Sequence, residues 1–289
     1  MITNYELRER MRKAIRPNLQ VLLLIALIVA LPGLIMNVIV ARTGSDLTTY
    51  LLEHGVDTAS TSEQILEAMT QFSMEQGALS LVLSLLSLLV TPVLGLGLLN
   101  AILTLMRGGT VTVGNVLSHR NYFIRATLLT LWLAVKMLLW ALPGMALIIL
   151  SVVVGGAGFV LLNLAGFLLL TALPIMAYYR YALATVVQAD EPETGVMACV
   201  RRSKAVMQGR KLQLFMLELP FNFGRMVAIM LSAQLLGYVL GNVVSMAAQL
   251  VISVYVNGAA CAFYEAYARP QGGRAHAFQA DPYHGEMQE

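Results

Sequence analysis

Three ionisable residues lie inside long apolar segments of the chain and are its best candidates for chemistry: Lys136, Glu218 and Arg225. Lys136 lies about eleven residues beyond Arg125, a depth of roughly 16 Å along a helix. Glu218 and Arg225 flank Pro220 at a spacing that puts them on one helical face. A charge so deep in an apolar segment is costly and marks a substrate or ion site by default. The alternative is packing, in which Glu218 pairs with Lys136 or Arg225, or Lys136 extends to the membrane surface.

Side chains for metal binding or catalysis follow no recognisable pattern. Each histidine stands alone in a polar segment, without a partner at i + 4 or a cysteine partner; they are His54, His119, His276 and His284. Gly95-Leu96-Gly97 lies inside an apolar segment and predicts close helix packing rather than a phosphate loop. An intramembrane enzyme would have to be built from Glu218 and a few polar groups. The sequence therefore predicts a protein that is not an enzyme and binds no metal or cofactor.

The composition identifies the bilayer as the environment in which these residues are positioned. Hydrophobic residues make up 58% of the 289 residues and charged residues only 12%, against about 25% charged residues in a soluble domain. Several apolar segments are long enough for transmembrane helices of about 20 residues; they cover 19–41, 77–106, 126–154, 159–187 and 212–269. The last one fits two helices with a break near Gly241-Asn242. The prediction is an all-α polytopic fold with six transmembrane helices arranged as three hairpins.

The polar segments predict domain organisation and orientation. The chain divides into an amphipathic segment, a six-span membrane domain and a disordered tail, at 1–18, 19–269 and 270–289. Lys and Arg number five in the first segment, three in the loop 107–125 and five in the loop 188–211, and none lies in the acidic loop 43–76. Because Lys and Arg accumulate in cytoplasmic loops, we expect both termini and both basic loops in the cytoplasm. The acidic loop is then outside the plasma membrane.

Basic amphipathic segments precede the first, third and fifth predicted spans. Residues 1–18 have helical apolar spacing, which predicts a short helix on the membrane surface. A second surface helix is expected in 188–211, where acidic residues come first and basic residues last, as a helix dipole favours. Basic residues of both segments are candidate contacts for anionic lipid; they are Arg8, Arg10, Arg12, Lys13, Arg201, Arg202, Lys204, Arg210 and Lys211.

Membrane lipid is therefore the expected partner, and a protein partner or an oligomer is also compatible with the sequence. The net charge of +3 and the absence of a strongly basic tail predict no binding to nucleic acid.

Several short motifs resemble one bacterial membrane-protein family. They are Tyr181-Ala182-Leu183, Ala189-Asp190, Arg201-Arg202-Ser203, Met207-Gln208-Gly209-Arg210-Lys211 with Phe215, Leu217-Glu218-Leu219 with Phe221, and Ala262-Phe263-Tyr264-Glu265. With the opening Glu6-Leu7-Arg8-Glu9, they resemble the family catalogued as domain of unknown function 975. The chain departs from the family pattern at Arg225, where an aromatic residue is usual. The resemblance implies a multi-pass bacterial plasma-membrane protein, and it implies no reaction because the family has none assigned.

Two functions fit this architecture. The leading hypothesis is a non-enzymatic accessory protein that binds lipid or a partner, with a solid bundle and paired charges. The alternative is a transporter for a small solute or lipid, with a water-accessible cavity near Lys136, Glu218 and Arg225. One proline lies in each of the first five spans, which indicates hinges or a cavity, or only the frequency of proline in membrane helices; these are Pro32, Pro92, Pro143, Pro174 and Pro220.

Overall fold

The computed structural model describes residues 2–43, 62–117, 120–154, 156–235 and 237–268, and these residues form helices and short connections only. The α-helices of the described residues are α1 (Asn4–Ile15), α2 (Leu19–Thr43), α3 (Ser62–Met106), α4 (Phe123–Val154), α5 (Gly156–Tyr181), α6 (Ala184–Asp190), α7 (Val196–Met207), α8 (Lys211–Leu235) and α9 (Gly237–Tyr267). The predicted all-α fold is confirmed. The tail 270–289 and most of the acidic loop lie outside the described residues.

Six helical segments are long and apolar enough to cross a bilayer, as predicted; they are Asn4–Ile35, Leu81–Met106, Phe123–Val154, Gly158–Asp190, Lys211–Leu231 and Val243–Tyr267. Their outward faces carry exposed aliphatic side chains, among them Val153 and Leu161. Helix α8 ends at Leu235 and helix α9 begins at Gly237, so α9 continues through the predicted break at Gly241-Asn242. Continuing the helix through Gly241 keeps its backbone hydrogen bonds satisfied, which a bilayer requires.

The second span belongs to a helix much longer than the bilayer is thick. Ser62 begins a helix as expected, but α3 then continues without a loop to Met106, over 45 residues. At 1.5 Å per residue this corresponds to roughly 68 Å, about twice the hydrocarbon thickness. The segment ahead of Leu81 therefore extends beyond the membrane. It covers residues that the sequence had placed in the acidic loop.

The predicted surface helices α1 and α7 do not turn their apolar faces to lipid. Leu7, Met11 and Ile15 of α1 are almost completely buried, because α1 packs on α9 and α3. A side chain at Gly258 of α9 would collide with Met11 and Ile15, so this glycine permits the close contact. Four apolar residues of α7 are buried in the same way; they are Cys199, Val200, Val206 and Met207. Both helices therefore close one end of the bundle.

Candidate functional site

The structure does not bring the three predicted intramembrane charges together. Lys136 lies over the Trp132 ring one turn away, with its Nζ 4.9 Å from the ring centre. Arg225 is exposed. Glu218 is only 1% exposed, and the Tyr179 hydroxyl donates a hydrogen bond to its Oε2 at 3.1 Å. Neither suggested pairing of Glu218 is among the ion pairs of the described residues.

Glu218 lies beside a cavity of about 110 Å³, which we call the Glu218 cavity. The carboxylate faces inward because Leu214, Leu217 and Glu218 share the buried side of α8. Its second oxygen, Oε1, is buried and has no hydrogen-bond partner. A buried carboxyl oxygen without a partner costs free energy, so this atom is a candidate for contact with a ligand.

A second cavity, of about 220 Å³, adjoins the first and is called here the Gln188 cavity. Leu99, Thr185 and Asn257 line both. The Gln188 side chain is fully buried, and neither its Nε2 nor its Oε1 has a hydrogen-bond partner. Sequence reasoning missed Gln188 because it is the first residue of a polar segment. The apolar run directly before it is the one signal that could have placed it inside the bundle.

An ion cluster joins three helices at the end of the bundle closed by α1 and α7. Arg107, next to the end of α3, contacts Asp190 of α6 and Glu265 of α9, each with an N–O distance of 2.6 Å. The Tyr264 hydroxyl donates to Asp190 Oδ2 at 2.8 Å. The hydrogen bond with Asp190, supported by Glu265, raises the pKa of Arg107 above its usual range. We call these four residues the Arg107 cluster.

Other motif residues fasten α7 to the same end of the bundle. Arg202 donates to Glu191 Oε1 at 2.7 Å and to the Ala268 carbonyl at 3.2 Å. The Ser203 hydroxyl accepts from the Leu183 N–H and donates to the Arg180 carbonyl, and so bonds the end of α5. These contacts explain the motifs without a ligand.

The turn from α7 to α8 requires the glycine of another motif. Gly209 has φ +74°, a conformation that only glycine adopts readily. This turn directs α8 back into the bundle and so fixes the direction from which Glu218 reaches its cavity.

Arg8 of the opening motif has a role that depends on Pro220. Proline has no N–H, so the Met216 carbonyl one turn earlier lacks its usual i + 4 hydrogen-bond donor in α8. The Arg8 guanidinium donates to that carbonyl at 2.7 Å and contacts the Leu217 carbonyl at 3.4 Å. Arg8 thus compensates for the proline and attaches α1 to α8.

The nine predicted lipid contacts fall into three groups. Three make contacts within the protein: Arg8, Arg202, and Arg210, which lies 4.8 Å from the centre of the Tyr267 ring. Lys13 is exposed but pairs with Glu9 at 2.7 Å, and Lys211 is half-buried. The others have exposed side chains that face away from the bundle; they are Arg10, Arg12, Arg201 and Lys204.

Metal chemistry has no support among the described residues, where no three His, Cys, Asp or Glu residues are grouped as ligands. The fold and the buried polar groups define a polytopic helical membrane protein with small internal cavities. The model of the family described as "Protein of unknown function (DUF975)" matches residues 1–269. The chain belongs to this family. No curated protein and no solved structure matches it.

Proposed function

We propose that this chain is a non-enzymatic accessory protein of the bacterial plasma membrane that binds anionic lipid head groups at its cytoplasmic surface. One observation carries the proposal. The apolar faces of α1 and α7 are used up in packing on the bundle, which leaves the cations Arg10, Arg12, Arg201 and Lys204 on their exposed faces. These faces can bind head groups without inserting into the acyl chains.

The location of these four residues fits that role. Arg8 of α1 bonds carbonyls in the second turn of α8, so α1 lies close to the level at which α8 enters the membrane. Near an anionic surface each basic residue contributes about 1 kcal/mol to association. Four such residues on two fixed helices form a positive rim, and the charge of the rim rather than its shape would select the lipid.

The test is lipid-dependent stability of the full chain in uncharged detergent. Phosphatidylglycerol should raise the Tm by several degrees more than phosphatidylcholine does. Replacing the four exposed cations by glutamine should remove at least half of that difference. In a matched control variant, the three arginines are replaced by lysine and Lys204 by arginine. This variant keeps all four charges and should respond to the two lipids like wild type.

Equal responses to the two lipids, or an unchanged preference in the glutamine variant, would contradict the proposal. A protein partner would then become the better candidate for the exposed basic rim.

Small-solute transport is the second candidate, and the Glu218 cavity is the observation that favours it. A buried carboxyl group beside a cavity inside a membrane bundle is typical of solute sites. Lys136 and Arg225 are not among the residues that line this cavity. A transport site would therefore depend on Glu218 and not on the other two charges.

A further inference from the structure

We propose that the Glu218 cavity is a binding site for a small organic cation, an alkylammonium ion with a compact apolar body. This site goes beyond the binding of lipid head groups by α1 and α7. It requires only that the ligand binds and is independent of whether the ligand crosses the membrane.

The first argument is the charge of Glu218. Its side chain is 1% exposed, and its one hydrogen bond comes from the neutral Tyr179 hydroxyl. None of the four ion pairs found among the described residues includes it. A carboxyl group in apolar surroundings stays protonated unless a counter-charge offsets the hydration that its ionised form loses. A bound cation would supply that charge at the unpaired Oε1.

The second argument is the aromatic part of the cavity wall. Tyr178 and Tyr181 both line the cavity. Tyr181 is 8% exposed and Tyr178 is 44% exposed, and the Arg180 guanidinium already lies 5.9 Å from the centre of the Tyr181 ring. Alkylammonium ions are attracted to the faces of aromatic rings, more strongly where water is excluded. An anion would be repelled by Glu218, and a neutral solute would leave the carboxylate unpaired. The wall therefore favours an organic cation over either.

The third argument is the apolar remainder of the wall and its size. Leu99, Leu133 and Met137 contribute hydrocarbon surface, which fits alkyl groups and not the complete oxygen shell that a bare metal cation requires. Asn257 donates one amide N–H to the Ser253 carbonyl at 2.9 Å, and its amide oxygen is a further acceptor. A volume of about 110 Å³ limits the ligand to a few carbon atoms.

The first experiment measures protection of Glu218 in the full chain in phosphatidylcholine nanodiscs. A hydrophobic carbodiimide modifies carboxyl groups that are buried in membranes, and peptide mass spectrometry measures its addition to Glu218. Tetramethylammonium is the probe because it is small, cationic and unable to react with the activated carboxyl. Saturating tetramethylammonium chloride should slow the modification of Glu218 at least fivefold. Glu193 is exposed, so its modification by a water-soluble carbodiimide, measured in a parallel reaction, is the control and should not change.

Two matched solutes decide which property of the probe matters. tert-Butanol has a similar shape without the charge, and potassium chloride has the charge without the alkyl groups. Protection by tetramethylammonium alone supports the proposal. Equal protection by tert-butanol would show a merely apolar cavity, equal protection by potassium would show an inorganic cation site, and absence of protection would show no site; each overturns it.

Direct binding of radiolabelled tetramethylammonium provides an independent measurement. Glu218→Gln keeps the shape of the side chain and its hydrogen bond with Tyr179, and it should weaken binding at least tenfold. Lys136→Leu and Glu193→Gln should each bind within twofold of wild type. Retained affinity in Glu218→Gln would refute the site. The lipid-dependent Tm tests the basic rim separately, so either proposal can fail without the other.

Discussion

At the scale of single residues, the chain places polar groups where another residue has left a backbone or side-chain group unsatisfied. Arg8 and Pro220 are the clearest pair. Pro220 removes the donor for the Met216 carbonyl, and Arg8 supplies one from a different helix at 2.7 Å. The proline is then tolerated inside α8 because a neighbouring element satisfies the exposed carbonyl, as membrane helices require.

This pair predicts a thermodynamic coupling. Arg8→Met should lower the free energy of unfolding by about 1–2 kcal/mol, because the Met216 carbonyl loses its charged donor. Pro220→Ala restores an intrahelical N–H for the same carbonyl, so Arg8→Met should cost clearly less in that background. Unfolding of the four proteins in one detergent gives the double-mutant cycle.

Arg10→Met, on the exposed face of the same helix, is the control and should change stability by less than about 0.5 kcal/mol. Additive effects of the Arg8 and Pro220 substitutions would show that the bond does not compensate for the proline.

At the scale of elements, residues of the family motifs form hydrogen bonds and ion pairs that connect different helices. The Arg107 cluster joins the end of α3 to α6 and α9. Ser203 holds α7 against the end of α5, and Arg202 attaches α7 to Glu191 and Ala268, which follow α6 and α9. The α4–α5 hairpin uses a different device. A side chain at Gly144 would collide with the backbone at Gly166 and Leu170, so these two helices touch through their backbones.

The Arg107 cluster predicts graded effects on stability. Arg107 is about one-third exposed, so the loss of its two ion pairs in Arg107→Gln should cost about 1–3 kcal/mol. Arg107→Lys keeps the charge but lacks the planar guanidinium that reaches Asp190 and Glu265 together. The stability of this variant should therefore lie between those of Arg107→Gln and wild type. The rate of backbone hydrogen exchange in α6 and α7 should be lowest in wild type, higher in Arg107→Lys and highest in Arg107→Gln.

Arg201→Gln, measured in uncharged detergent, is the matched control because that guanidinium is exposed. If the Arg107→Lys variant were as stable as wild type, charge alone would hold these helices together. If the Arg107→Gln variant were as stable as wild type, the cluster would contribute nothing to the joining of α3, α6 and α9.

At the scale of the whole molecule, hydrophobic runs predicted the membrane fold and its six spans, because bilayer thickness sets the length of each run. Contacts between distant segments could not be predicted in this way. Lys136, Glu218 and Arg225 looked alike as charges in apolar runs, but only Glu218 is almost completely buried, whereas Lys136 is half-buried and Arg225 is exposed. The apolar periodicity of α1 gave the helix correctly but could not distinguish a lipid surface from the surface of the bundle.

Orientation is the remaining property of the whole molecule that the charge distribution predicts. Glu63 lies at the start of α3, ahead of the span Leu81–Met106, so the cysteine of Glu63→Cys should be outside the cell. Arg201 lies on α7, so the cysteine of Arg201→Cys should be inside. A membrane-impermeant maleimide should label the first variant on intact cells and the second only after permeabilisation.

The two native thiols should not interfere with that labelling. Cys199 and Cys261 are unpaired and fully buried, and burial raises the pKa of the Cys199 thiol to about 11. At pH 7 only about one Cys199 in ten thousand is then a thiolate, the form that reacts. Unmodified protein should therefore remain unlabelled in intact and permeabilised cells. Labelling of Arg201→Cys on intact cells would reverse the orientation and place the basic rim outside, where the cytoplasmic leaflet could no longer be its ligand.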